Sequence, residues 1–180
     1  MIIVEGMDNS GKSTLANYLG EKFDLRVIKR SGPPVSAESF LLETLSFLVL
    51  NPQAIFDRHP IISEGVYSSV LRGVNVFETE GTTWEFWMER LRQCNPLIIY
   101  CRPPDEKILC FHPDIVQMKG VEQNARRLID RYDKLMDKIE KRGILIIRHN
   151  FDQLINTLPV EYAVASYLKV EGVIKGYEYK

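Results

Sequence analysis

Within "VEGMDNSGKST" (Val4 to Thr14), the run Gly6 to Ser13 fits the pattern G-x-x-x-x-G-K-[ST]. Each fixed position has a chemical reason. Gly6 and Gly11 tolerate backbone conformations and close approaches that a Cβ obstructs, so successive N–H groups can turn inward on phosphate oxygens. Lys12 brings a point charge to the β and γ phosphates, and the Ser13 hydroxyl is placed to ligate Mg²⁺. Asn9, Ser10 and Thr14 complete the cradle. Such a loop needs a strand before it and a helix after it, whose N-terminal dipole adds to the anion site. "MIIVE" and "STLANYLGEKF" supply both.

Other charged residues stand where apolar runs end. "AIFDRH" offers Asp57 as a second Mg²⁺ ligand, at the carboxyl end of a strand where open α/β sheets bind ligands. Adjacent charges of this kind are more commonly surface ion pairs, and the preceding Ala54, Ile55 and Phe56 favour function. "RVIKR" ends in Lys29 and Arg30, "AIFDRH" adds Arg58 and "PLIIYCR" ends in Arg102. An acceptor hydroxyl needs a carboxylate base to take its proton. An acceptor phosphate is already anionic and needs cations to hold it against the triphosphate, a task that suits the planar fork of arginine. The strand ends therefore favour a nucleoside monophosphate as the small-molecule substrate.

Five apolar runs, "MIIVE", "RVIKR", "AIFDRH", "PLIIYCR" and "GILIIRH", read as buried strands because none alternates strictly. Helical stretches separate them. In "GVEQNARRLIDRYDKLMDKIEKRG" the residues Val121, Ala125, Leu128, Tyr132, Leu135 and Ile139 share one face. Glu122 with Arg126 and Asp130 with Lys134 form acid-then-base pairs at i, i+4. The first helix buries Leu15, Leu19 and Phe23, and "TTWEFWMERLRQC" places Trp84, Trp87, Met88 and Leu91 toward the core. Strands alternating with helices give an α/β fold, a mostly parallel sheet with helices on both faces. The segment after Tyr167 reads either as a late strand pair or as a loose end.

The 180 residues fit one domain, 1–180. No apolar run approaches the roughly 18 residues of a membrane span, and "MIIVEG" lacks the basic start of a signal peptide. A cytoplasmic protein is expected. A net charge of −1 provides no basic track for a polynucleotide, so nucleic acid is not expected as a partner. Cys94, Cys101 and Cys110 form no CxxC, and with His112 their spacing fits no familiar zinc site. The loop "HNFDQL" lacks the lysine of the N-K-x-D guanine motif, which counts against a GTP-binding switch. Asn150 and Phe151 either border an adenine or form an ordinary turn, and His59, His112 and His149 carry no catalytic pattern.

"EGMDNSGKST" followed by "DRHPIISEGVYSSVLRG" resembles the thymidylate kinase branch of the nucleoside monophosphate kinases, most closely the short kinases of that branch from bacteriophages. The resemblance runs from Met1 to about Asn150. It implies a P-loop NTPase fold, three-layer α/β/α with a five-stranded parallel sheet of order 2-3-1-4-5. It further implies ATP and Mg²⁺ as the donor complex, a deoxynucleoside monophosphate as acceptor with dTMP favoured, and a possible homodimer. By the same resemblance Asp8 contacts the acceptor sugar, Arg58 and Arg30 bind the acceptor phosphate, and Asp57 organises the metal. Tyr67 and Arg72 fall on the acceptor base or sugar, with plain packing as the other reading. A mobile lid is implied at about 103–127. Where some relatives carry a catalytic arginine in the loop, this chain has Asn9, so Arg126 becomes the candidate for the transferring group, with Arg102 in reserve. The segment from Arg30 to Asp57 is shorter than in cellular thymidylate kinases. The nearest rival is a deoxynucleoside kinase acting on a 5′-hydroxyl, with Glu38 as its base.

Overall fold

The computed structural model describes residues 1–30, 36–49, 53–111, 118–152, 157–170 and 172. Five strands form one parallel sheet: β1 (Ile2–Glu5), β2 (Val27–Lys29), β3 (Ile55–Asp57), β4 (Leu97–Cys101) and β5 (Leu145–His149). Their order is β2-β3-β1-β4-β5, as the resemblance implied. The register sets Ile3 between Phe56 and Ile98, and Val4 between Asp57 and Ile99. All three core strands are buried on both faces. The edges depart from the expectation of buried strands: β2 is half-buried and β5 is only partly buried, with Leu145 54% exposed. An edge strand has one neighbour only, and its outer residues reach solvent.

Side chains alternate across the sheet and divide the core in two. Ile2, Val4, Ile55, Leu97, Ile99 and Cys101 pack on helices α1 (Lys12–Phe23) and α8 (Thr157–Val170). Ile3, Phe56, Ile98, Tyr100 and Ile146 pack on the opposite layer. That layer holds α2 (Ala37–Val49), α3 (Pro60–Tyr67), α5 (Trp84–Gln93) and α7 (Ala125–Glu140). Two single-turn helices, α4 (Val76–Thr79) and α6 (Asp105–Ile108), complete the set. The result is a three-layer α/β/α sandwich.

The periodic residues behave as their spacing requires. Leu15, Leu19 and Phe23 are buried on α1, as are Trp84, Trp87, Met88 and Leu91 on α5. Helix α7 buries Ala125, Leu128, Tyr132, Leu135 and Ile139, and Val121 just ahead of it is buried too. Asp130 and Lys134 pair at 2.7 Å, whereas Glu122 precedes the helix and forms no ion pair with Arg126. Helix α3 runs into a π-helical turn, Ser68–Arg72, closed by Gly73 in the left-handed region. Gly65 sets how closely α3 meets its neighbours: a Cβ there would lie 2.7 Å from Trp84 Nε1 and 3.2 Å from Leu135 Cδ2.

Of the segment after Tyr167, Leu168 to Val170 continue α8. The strand-pair or loose-end alternative concerns residues 171 and 173–180, outside the described residues. The "SGPP" turn and positions 112–117 of the lid-like stretch also lie outside them. No helix among the described residues is long and apolar enough to cross a membrane.

Candidate active site

The carboxyl ends of β1, β3 and β4 meet where the phosphate loop leaves the sheet. Gly6 has φ 151°, and a Cβ on it would fall 2.5 Å from Ser10 Oγ and 2.6 Å from the Cys101 carbonyl oxygen. Gly11, with φ 76°, caps α1, and its missing Cβ would lie 2.8 Å from Phe151 Cδ1. The two glycines are thus required by space and by backbone conformation together. Ser10 Oγ is buried without a hydrogen-bond partner among the described residues, an unfilled capacity facing the loop. Ser13 and Thr14 stand exposed in the first turn of α1.

Lys12 lies back across the loop, its Nζ donating to the Met7 carbonyl at 3.3 Å and standing 3.6 Å from Asp8. Burial lowers its pKa, as does the neighbouring Arg58, against the pull of Asp8, Asp57 and Glu5. Asp57 ends β3 as a buried carboxylate that accepts no hydrogen bond from the described residues. A buried acid without a protein donor calls for a cation, and Ser13 with Asp57 forms a donor set of hard oxygens suited to Mg²⁺.

Arg58 follows in the left-handed region, φ 74°. A non-glycine residue held there costs on the order of 1–3 kcal/mol and needs surrounding structure to hold it. Its amide donates to the Val4 carbonyl at 3.0 Å. Its guanidinium contacts Asp8 and lies 5.2 Å from the centre of the Tyr67 ring. Burial works against that charge, yet Tyr67, Tyr132, Asp8 and Glu5 hold its pKa above the ordinary value. Tyr67 is buried, its Oη within no hydrogen bond among the described residues, and its ring meets Tyr132 edge-on at 6.0 Å.

Two residues join this site without a role foreseen from the sequence. Glu5, the last residue of β1, is fully buried. Its Oε1 accepts from the His59 amide at 2.7 Å and its Oε2 from Tyr132 Oη at 3.2 Å. Burial pushes its pKa up to about 6, opposed by the His59 amide, Arg58, Lys12 and the Tyr132 hydroxyl. Tyr132, legible as a core position of α7, also stacks on Tyr100 at 6.0 Å and brings a hydroxyl to the site. The legible signal for Glu5 is an acid closing an otherwise apolar strand immediately before the loop.

His59 has an ordinary role. Its Nδ1 accepts from the Ile61 amide at 3.3 Å, capping α3, and its ring stands edge-on to Phe47 and Phe56. Burial, and then Arg30, push its pKa down to about 3, so it is neutral at physiological pH.

The remaining candidates are dispersed. Arg30 lies after β2 with its Nε 3.0 Å from Glu43 and its guanidinium over Phe40 at 5.2 Å. Arg72 pairs with the buried Glu64, which also accepts from the Val76 amide at 2.8 Å; among the described residues no hydrogen bond or ion pair joins Arg72 to the phosphate loop. Arg102 is bound by Asp133 at 3.0 Å and Asp105 at 2.7 Å, with a further bond to the Pro103 carbonyl, so the reserve cation is engaged in holding β4 to α6 and α7. Arg126 stands exposed in the first turn of α7, with no ion pair among the described residues.

The lid-like stretch is anchored at its root. Asn9, at φ 65°, donates its side-chain amide to the carbonyls of Ile108 and Cys110, each at 3.2 Å. Lys107 pairs with Asp152 at 3.1 Å, beside the half-exposed Phe151 that covers Gly11.

No protein-family model matches the chain, nor does any curated protein sequence. Solved structures do. The YorR protein of Bacillus subtilis, in complex with phosphorylated GDP, superposes with a TM-score of 0.71 at 15% identity, covering 97% of this chain and 99% of that one. Thymidylate kinase from Candida albicans gives 0.55 at 17% identity, covering 97% and 94%. Deoxyadenosine kinase from M. mycoides with bound dCTP gives 0.55 at 12% identity, covering 92% and 100%. At these identities the likeness lies in the fold, which this chain shares over nearly its whole length with nucleotide and nucleoside kinases.

Proposed function

We propose that the protein is an ATP- and Mg²⁺-dependent kinase that phosphorylates a deoxynucleoside monophosphate, with dTMP favoured, to the diphosphate. One observation carries this reading: a complete phosphate loop faces a partly buried arginine, Arg58, fixed at the next strand end by Asp8 and Tyr67. The nucleotide-kinase fold supports it.

In this mechanism the loop from Gly6 to Thr14 holds the ATP phosphates through its N–H groups, with Phe151 beside the adenine. Lys12 turns from Met7 and Asp8 to the β and γ phosphates. Ser13 and Asp57 would hold Mg²⁺, which when bound neutralises charge on the β and γ oxygens. Arg58 and Arg30 bind the acceptor phosphate, Asp8 and Tyr67 orient its sugar and base, and Arg126 meets charge on the transferring group. Attack is in-line, so positioning and charge stabilisation supply the catalysis. For the hydroxyl-acceptor alternative a base is needed, but Glu38 is exposed and Glu43 is paired with Arg30.

Two variants test the reading with ATP, Mg²⁺ and dTMP. Lys12→Ala is expected to lose turnover by at least a hundredfold while retaining the native circular dichroism. Arg58→Ala is expected to raise the KM for dTMP tenfold or more and leave that for ATP within threefold. Near wild-type turnover of Lys12→Ala, or an Arg58→Ala defect confined to ATP, contradicts the assignment.

A further inference from the structure

The strained turn at Arg58 is held from both sides by consecutive residues of one strand. Before it, the Arg58 amide donates to the Val4 carbonyl at 3.0 Å; after it, the His59 amide donates to Glu5 Oε1 at 2.7 Å. The first anchor is ordinary strand pairing. The second is a side chain, and a fully buried one.

A buried carboxylate is an expensive way to end a strand unless its oxygens have work. The second oxygen of Glu5 accepts from Tyr132 Oη, 3.2 Å away on α7. Tyr132 in turn stands against Tyr67, whose ring lies under the Arg58 guanidinium. The two oxygens of Glu5 therefore act on Arg58 by separate routes, one through the backbone turn and one through the tyrosine pair. Arg58 and Lys12 supply the positive charge facing it.

We propose that Glu5 is a positioning residue that fixes Arg58 in the left-handed conformation and so aims its guanidinium at the acceptor phosphate. This rests on the reading of Arg58 as an acceptor ligand. Because Tyr132 lies on the helix that follows the lid-like stretch, the same carboxylate ties that helix to the acceptor side of the site. Each of its oxygens accepts a hydrogen bond from the protein, which fits a positioning role.

Glu5→Ala, Glu5→Asp and Glu5→Gln of the full chain decide the matter, with dTMP and Mg·ADP titrated calorimetrically into each. Alanine is expected to weaken dTMP tenfold or more with Mg·ADP within threefold. Glutamine, which keeps an acceptor oxygen for the His59 amide, is expected to restore dTMP binding to within threefold of wild type. Equal weakening of both ligands by alanine, or glutamine as weak as alanine, overturns the proposal. Should alanine fail to fold, aspartate, one methylene too short for its two donors, takes its place. Should wild type bind no dTMP, the acceptor reading fails, and crystal structures of the variants judge the positioning alone. Arg58 leaving positive φ in the alanine or aspartate variant upholds it; Arg58 unmoved, still on Asp8, overturns it.

Discussion

At the scale of single residues, the site divides by how local each role is. Gly6, Gly11, Lys12 and Ser13 act through one continuous turn, so their spacing alone announced them. Glu5 and Tyr132 act on each other across 127 positions of chain, and no short pattern contains both. Arg102 ends a strand like the other candidate cations, yet Asp133 and Asp105 engage it, and Arg126, without an ion pair among the described residues, remains the candidate. Arg126→Ala is accordingly expected to lower kcat at least tenfold with little change in either KM, whereas an unchanged kcat removes it from the mechanism. Glu5 gives a pH prediction. Its carboxyl binds a proton more tightly folded, at a pKa of about 6 against 4.5. The stability it contributes is complete below about pH 4.5 and lost as pH rises through about 6. At about 1.4 kcal/mol per pH unit, wild type should lose about 2 kcal/mol relative to Glu5→Gln between pH 4.5 and 7. Urea titrations of both proteins across that range measure it, and parallel curves would contradict it.

Among the elements, strands and long helices were legible because apolar periodicity reports burial directly. The π-helical turn at Ser68–Arg72 was not, since apolar spacing over five residues does not distinguish it from one more turn of α-helix. Nor was the attachment of α6 to the phosphate loop, which one residue supplies. The Asn9 amide reaches two carbonyls at the root of the lid-like stretch. The left-handed backbone of Asn9 suits glycine, so Asn9→Gly removes the tie without straining the loop. Amide exchange at Asp105 to Cys110 should then accelerate tenfold or more while α7 is unchanged. If exchange there stays at the wild-type rate, Asn9 does not hold this segment.

For the molecule as a whole, alternating strands and helices required a layered α/β fold, and the resemblance supplied the order 2-3-1-4-5 that the sheet adopts. That order places β1 between β3 and β4, which is why the phosphate loop lies beside Asp57 and Arg58 on one side and Cys101 on the other. The same topology serves kinases whose acceptors differ, and the fold therefore leaves the acceptor to the side chains. Here the cations gathered around the loop, Lys12 and Arg58 with Arg30 beyond, favour an anionic acceptor. The central claim is tested by coupled ADP release with ATP and Mg²⁺ against every deoxynucleoside and ribonucleoside monophosphate, with the free nucleosides in parallel. Turnover with monophosphates, dTMP foremost, and none with nucleosides is the predicted result; turnover with nucleosides alone would contradict it and assign the protein to the hydroxyl-acceptor class.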